Sequence, residues 1–381
     1  MLNLPKRHSV LTCLLAMMLA TPLAKSMEPQ KNELTCHYDE VLALDVWTSY
    51  APPFAIKEFK ALIKEKYNKN IDVTVLRALS PDEFYDRVRS GVSDIISPSH
   101  NFMKDERTQF INHGLIIPVD RTIVKNLKDV LPLFINNDFV TKEGKLYGVP
   151  MAAGGYSLLY DKDHFAKPPT SWNVLWDKKY KGRYSLSKDY YEANIYTTAL
   201  ALGYKGAQIH DINLINTPKF KTKLKYLLAN ANYWSGAPKD EDLKKSVLTL
   251  GWGMSHSVAK DSAKKWKLAL LDEGVSFWTD YAAVTRNAER NPLIKAVAME
   301  WLNFLISRNF QEKVIVEEKK YLSPLNLTGD DKELQYQSKK EVAYLVNKSV
   351  YWPILTVRDR NGLKLVYDQV LEEIAAEKKT H

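Results

Sequence analysis

At 381 residues the chain is long enough for two or three domains with sizeable cores. Its 45% hydrophobic and 26% charged residues, with no low-complexity tract, are those of an ordinary globular protein. The 54 Lys and Arg against 45 Asp and Glu give a net charge of +9. That basicity is spread over lysine-rich helix faces such as "KFKTKLKYLLANAN", so it reads as solvated surface and not as a nucleic-acid footprint.

Residues 1–26 read as a cleaved secretory signal. "MLNLPKRHSV" is a basic start, and "VLTCLLAMMLA" is an apolar core too short to span a bilayer. Pro22 breaks that core, and Ala24 and Ser26 supply small residues before the cut. Apolar residues continue past Cys13 and Thr12 precedes it, which argues against lipidation. Cleavage removes three basic and no acidic residues, leaving 51 Lys and Arg against 45 Asp and Glu. Cys36 is then the only cysteine, so no intrachain disulfide can form.

"EVLALDVWTSY" reads as a buried strand running into a polar-aromatic loop. "PPFAIKEFKALIKEKYNK" follows as a helix opened by Pro52 and Pro53, with Ile56, Phe59, Leu62, Ile63 and Tyr67 on one stripe. "IDVTVLRAL" is a second strand with clean alternation. "SPDEFYDRVRSG" is a helix with a Ser cap, Pro at its first position and a Gly stop, and "VSDIISPSH" holds a third short strand. This order is a right-handed α/β unit on a parallel sheet. It has no Gly-rich phosphate loop, so a dinucleotide fold is unsupported.

"KLYGVPMAAGGYSLLYDKDHF" reads as a strand, a Pro-to-Gly break and another strand, which suits a crossing between two lobes. "LGWGMSHSVAKDSAKKW" and "GVSFWTDYAAV" are further strand regions. "NPLIKAVAMEWLNFLIS" is an amphipathic helix with Leu293, Val297, Trp301 and Leu305 on one side, and "GLKLVYDQVLEEIAAEKK" is a last helix. The layout is two α/β lobes joined by more than one crossing, with ligands expected between them.

In "GVSFWTDYAAV", Ser276, Trp278 and Asp280 share one face of a half-buried strand. A carboxylate there needs a cationic or hydrogen-bonding partner. Asp189 and Glu192 stand three apart where a helix begins; the plain reading is a capping box, and the other is a pair of carboxylates around a cation. Tyr190 and Tyr191 raise ferric iron as an alternative, although adjacent tyrosines in a first turn face different ways. "SVAK", Ser257 to Lys260, has the spacing of a serine–lysine pair but is too short to carry an enzyme. The eight histidines show neither metal-ligand spacing nor a triad pattern, so no catalytic residue, metal or cofactor is expected.

In this order the motifs resemble the extracellular solute-binding proteins of bacterial ABC importers, in particular the spermidine/putrescine-binding branch. The similarity runs from about Leu44 to about Leu327. It is carried by "VWTSYAPP", "DIISPSH", "GVPMAAGG", "TSWNVLWDKKYKG", Asp189-x-x-Glu192 and Trp278-x-Asp280. The resemblance implies a two-lobed periplasmic binding protein fold of type II, each lobe a central sheet flanked by helices, with the ligand in the cleft. It implies lobes of 27–153 with 281–329, and 154–280 with 330–381. It also implies that Asp280 pairs with a ligand amine, that Trp278 packs along its methylenes, and that Asp189 and Glu192 take a terminal ammonium. Trp47, Tyr50 and Tyr321 become further walls, and Ser99 lies in the binding loop.

Four residues depart from the branch: Ser49 stands for an acid, His100 and Asn101 for an aromatic, and Met254 for a tryptophan. The ligand expected is therefore a linear polyamine, a triamine such as spermidine or norspermidine before putrescine. The protein expected is a periplasmic monomer that is not an enzyme and binds no nucleic acid. Its partner is either an inner-membrane ABC permease or the periplasmic domain of a membrane GGDEF/EAL signalling protein that controls biofilm.

Overall fold

The computed structural model describes residues 40–47, 50–235, 238–252, 264–319, 321–327 and 339–379. The leader, Cys36, Ser49, Met254 and the Ser257–Lys260 pair lie outside the described residues.

The first α/β unit forms as its sequence predicts. Strand β1 (Glu40–Trp47) pairs in parallel with β2 (Ile71–Ala78) on one side and β3 (Ile95–Ile96) on the other. Helix α1 (Pro53–Tyr67) connects β1 to β2, and α2 (Pro81–Arg89) connects β2 to β3. In α2 the Ser80 Oγ accepts from the Glu83 N–H, and Pro81 stands at the first position. Helix α1 buries Ala55, Phe59 and Ile63, one narrow i, i+4 row, whereas Leu62 on the predicted stripe is 38% exposed. Strand β2 does not alternate cleanly: only Ile71 and Ala78 are buried, because it is the edge strand of the sheet.

After α3 (Pro132–Ile135) and the small hairpin β4 (Thr141–Lys142) and β5 (Lys145–Leu146) comes β6 (Val149–Asp161). Strand β6 corrects the predicted break. It runs thirteen residues without interruption, every one buried, because it has a pairing partner on both edges. On one side it pairs with β9 (Leu248–Trp252); on the other it pairs with β10 (Trp266–Leu268) and β11 (Val275–Val284). Strand β7 (Tyr184–Ser187) lies in parallel between β9 and β8 (Asn232–Trp234). The order along the sheet is β2-β1-β3-β11-β6-β9-β7-β8, one mixed sheet with β11 and β6 at its middle.

Helices α4 (Tyr191–Ala201), α5 (Ile212–Ile215) and α6 (Pro218–Ala229) pack around the second half, with the short α7 (Asp240–Leu243) beside β8. Helix α8 (Pro292–Leu305), capped by Asn291, packs on β1 and α1. Val297, Trp301 and Leu305 of its predicted stripe are buried, but Ile294 takes the place given to Leu293. A short helix α9 (Arg308–Phe310) leads into a π-helical stretch, Gln311–Glu318. The buried Gln311 amide donates to the Met151 carbonyl at 2.9 Å, which ties this stretch to β6.

Helix α10 (Lys339–Lys348) precedes β12 (Ser349–Tyr351), which pairs in parallel with β11. The last helix, α11 (Val357–Lys379), begins five residues before the predicted Gly362. Gly362 is an interior position of close approach, where a Cβ would sit 3.0 Å from Ile212 of α5. No helix of the described residues is long and apolar enough to cross a membrane.

Candidate functional site

Strand β11 builds the centre of the site. All ten of its residues are buried, not half of them, because β6, β3 and β12 pair along it. Its register against β6 slips between Asp280 and Tyr281. There the Tyr281 N–H turns to the Pro98 carbonyl (3.0 Å), and Ser99 forms an isolated bridge with Asp280. The irregularity sets Asp280 beside the loop that carries Ser99.

Asp280 is 6% exposed, and two hydroxyls reach it. Tyr50 donates to Oδ2 at 2.7 Å, and Ser99 donates to Oδ1. Neither donor carries charge, so burial dominates and pushes the carboxyl up to about 6, while the Ser99 and Tyr50 hydrogen bonds hold it lower than burial alone would. Around it stand three rings: Trp278 packs edge-on against Tyr321 at 5.0 Å, and Tyr50 meets Tyr321 at 6.4 Å. Trp47, at the end of β1, packs edge-on against Phe84. Asn101 is buried and, like these rings, lines the same cleft of about 640 Å³.

Asp189 and Glu192 also line this cleft. They do not form the predicted capping box: Tyr190 is the residue before α4, and no side chain caps it. Asp189 accepts from the Ser235 hydroxyl at 2.8 Å. Burial raises the Glu192 carboxyl above its ordinary value, opposed by its own backbone N–H, Tyr191, Arg360 and Arg107. Arg360 is a residue the sequence did not disclose. It lies in the first turn of α11, its guanidinium 3.8 Å from Glu192 and hydrogen-bonded to the fully buried Asp105.

Other lining residues that the sequence did not disclose include Arg107, Tyr196 and Trp352. Trp352 belongs to "VYWP", an aromatic pair before a proline that stood out in a lysine-rich tail. It packs edge-on against Tyr196 at 5.3 Å and lies 5.9 Å from Trp252. Trp252 in turn meets Tyr190 at 4.8 Å. Tyr190 and Tyr191 face different ways, since Tyr191 packs toward Tyr367. Burial, then the neighbouring acids, pushes the Tyr190 phenol up to about 12 and raises Tyr191 as well.

His100 is fully buried behind the cleft and does not line it. Its Nδ1 accepts from the Thr279 N–H at 3.2 Å, so Nε2 carries the proton and donates to the Trp352 carbonyl at 2.9 Å. The Trp352 N–H donates to the Phe277 carbonyl at 3.0 Å. His100 thus ties the Trp278–Asp280 strand to the Trp352 backbone. Burial pushes its pKa down to about 4, which keeps it neutral.

Comparison with known proteins supplies the context. Residues 90–346 match the profile of the family described as bacterial extracellular solute-binding protein. The spermidine/putrescine-binding periplasmic protein of Salmonella typhimurium is 26% identical over 280 residues, 70% of this chain and 73% of its own. The spermidine/putrescine ABC transporter substrate-binding protein PotD of Streptococcus pneumoniae superposes with a TM-score of 0.68 at 16% identity, covering 88% of this chain and 99% of that one. The Tp0655 (TpPotD) lipoprotein of Treponema pallidum gives 0.64 at 15% identity, over 87% and 99%. At such identities the two solved structures carry the fold alone: a two-lobed periplasmic binding protein.

Proposed function

The chain belongs to the bacterial extracellular solute-binding proteins, and from that premise we propose that it binds a linear polyamine in the cleft between its lobes. The observation that carries this reading is Asp280, a buried carboxylate ringed by Trp278, Tyr50 and Tyr321 and bonded only to neutral hydroxyls. A polyamine alternates compact cations with short apolar spacers. An ammonium on Asp280 gains a charge-assisted hydrogen bond, and the rings add cation–π attraction of roughly 0.5–2 kcal/mol. The name of the Salmonella relative supports the same ligand class.

In this proposal a triamine of the spermidine or norspermidine type is preferred to putrescine, and Trp47, Ser99, Asn101, Asp189 and Glu192 complete the wall. The protein is a carrier and not an enzyme. A cleavable leader delivers it to the periplasm as a monomer. The lobes divide at 153/154 and 280/281, with the second lobe completed by 330–381; the register slip beside Asp280 supports a hinge there. Closure on the ligand would create the surface that an ABC permease reads. A GGDEF/EAL signalling protein would use the same surface, and gene neighbours separate the two partners.

Thermal melting of residues 27–381 with a panel of polyamines, ferric citrate and neutral amino acids tests the reading. A rise in Tm with polyamines alone supports it. A rise with iron, or none with any amine, would reverse it.

A further inference from the structure

Between β12 and α11 the chain reads "WPILT", residues 352–356, and takes up neither helix nor strand. Its side chains divide. Trp352 and Leu355 are buried and line the cleft, whereas Ile354, Thr356 and the adjoining Val357 are exposed. Neighbouring residues thus face the cleft and the solvent, so the wall here is one chain thick.

Both ends of this strap are fastened to the loop after β3, which lines the cleft through Ser99, Asn101, Phe102 and Arg107. At the first end His100 Nε2 donates to the Trp352 carbonyl at 2.9 Å, and the Trp352 N–H donates to Phe277 at 3.0 Å. At the second end the Val357 N–H donates to Glu106 at 2.8 Å, and Arg360 is hydrogen-bonded to Asp105. The two fasteners differ in kind. The first is neutral, rests on the fully buried His100 and is shared with β11. The second is ionic, and Glu106 lies at the surface.

The ionic fastener can open without stranding a charge, which is what makes a buried pair costly to break. Arg107 Nε also reaches Asp105, at 3.1 Å, so this fully buried carboxylate keeps a cation when Arg360 leaves it. Arg360 in turn keeps Glu192, 3.8 Å from its guanidinium.

We propose that Trp352–Arg360 is the door of the cleft, and that the Arg360–Asp105 pair is its releasable latch. The inference rests on the polyamine reading for its ligand and goes beyond it, because it assigns ligand exchange to a short segment of this chain. That segment lies outside residues 90–346, which match the family profile. When the latch opens, the strap turns about its His100 end while β6 and β11 stay in place. Entry and exit pass through the same opened state. Loosening the latch therefore speeds both and leaves the affinity nearly unchanged.

The test is stopped-flow tryptophan fluorescence of residues 27–381 with spermidine, in the wild type, R360Q and E106Q, beside hydrogen exchange of the unliganded proteins. R360Q should raise the association and dissociation rates together by about tenfold, with Kd changed by less than about threefold. E106Q weakens the same latch, should move both rates in the same direction, and replaces R360Q if that variant does not fold. Backbone amides of 353–360 should exchange faster in both variants, while those of β11 stay as in the wild type. An association rate that does not rise overturns the door, because a residue that only adds affinity or holds the fold leaves that rate unchanged or lowers it. A wild type that binds no spermidine overturns the polyamine reading, and the exchange measurement then decides alone. Faster exchange confined to 353–360 upholds the latch, and unchanged exchange overturns it.

Discussion

The Tyr50 hydroxyl donates to Asp280 Oδ2 at 2.7 Å, joining residues 230 positions apart in the chain. With Ser99 it supplies hydrogen bonds but no charge, so the protein holds a carboxylate ready for a cation at some cost to its own stability.

That cost has a sign. Burial raises the Asp280 carboxyl from 3.8 to about 6, so the folded state holds this proton more tightly than the unfolded one. The stabilising contribution is full below the unfolded value and is lost as pH rises through about 6. The difference is on the order of 3 kcal/mol. Asp280→Asn should therefore raise the Tm of the unliganded protein at pH 7 by several degrees while removing polyamine binding. A variant that is both less stable and fully competent to bind would contradict this.

Binding should carry the same signature. An ammonium favours the charged carboxylate, so affinity should increase as pH rises through about 6, with proton release on binding below that value. Tyr50→Phe removes a donor to the charged form and should move the midpoint of this profile upward. It should weaken binding by about 1 kcal/mol at neutral pH. Titrations in buffers of different ionisation enthalpy read both quantities.

His100 works in the opposite direction over the same range. Its pKa falls from 6.5 to about 4 on burial, so its contribution to stability is present above 6.5 and is lost as pH falls toward 4. His100→Leu leaves the Thr279 N–H and the Trp352 carbonyl without this partner and should cost about 2–4 kcal/mol in urea melts. The loss should be smaller at pH 5 than at pH 7, because the wild type has already lost part of the difference there. A loss independent of pH would mean that the imidazole acts only by filling space.

The Trp352 wall depends on one turn. Gly274 has φ of +81°, and a Cβ there would lie 1.9 Å from the Lys348 carbonyl oxygen, just before β12. Gly274→Ala should separate β12 from β11, cost several kcal/mol and reduce polyamine affinity through Trp352. Far-ultraviolet circular dichroism with thermal melting measures the first effect, and ligand titration the second.

Much of this was legible from local pattern. Ser80 before Pro81 marked a helix start, and period-two spacing put Trp278 and Asp280 on one face. What stayed hidden depended on distant pairing. Pro150 and the paired glycines of "VPMAAGG" looked like a break, yet partners on both edges hold β6 as one strand. Gly362 looked like a helix start, although it lies inside α11 and admits Ile212. Arg360 was lost with it, since its partners Asp105 and Glu192 come from loops and helices far back in the chain. Local rules read a cap into Asp189 and Glu192 for the same reason: they ignore the cation that arrives last.

The most direct test of the central claim is calorimetric titration of residues 27–381 with putrescine, spermidine, norspermidine and spermine, in parallel with Asp280→Asn. The account requires one-to-one binding of a polyamine in the wild type and its loss, by a factor of a hundred or more on the order expected for a buried charge pair, in a variant that still folds. Equal binding by both proteins, or no heat from any amine, would show that Asp280 does not wait for a cation.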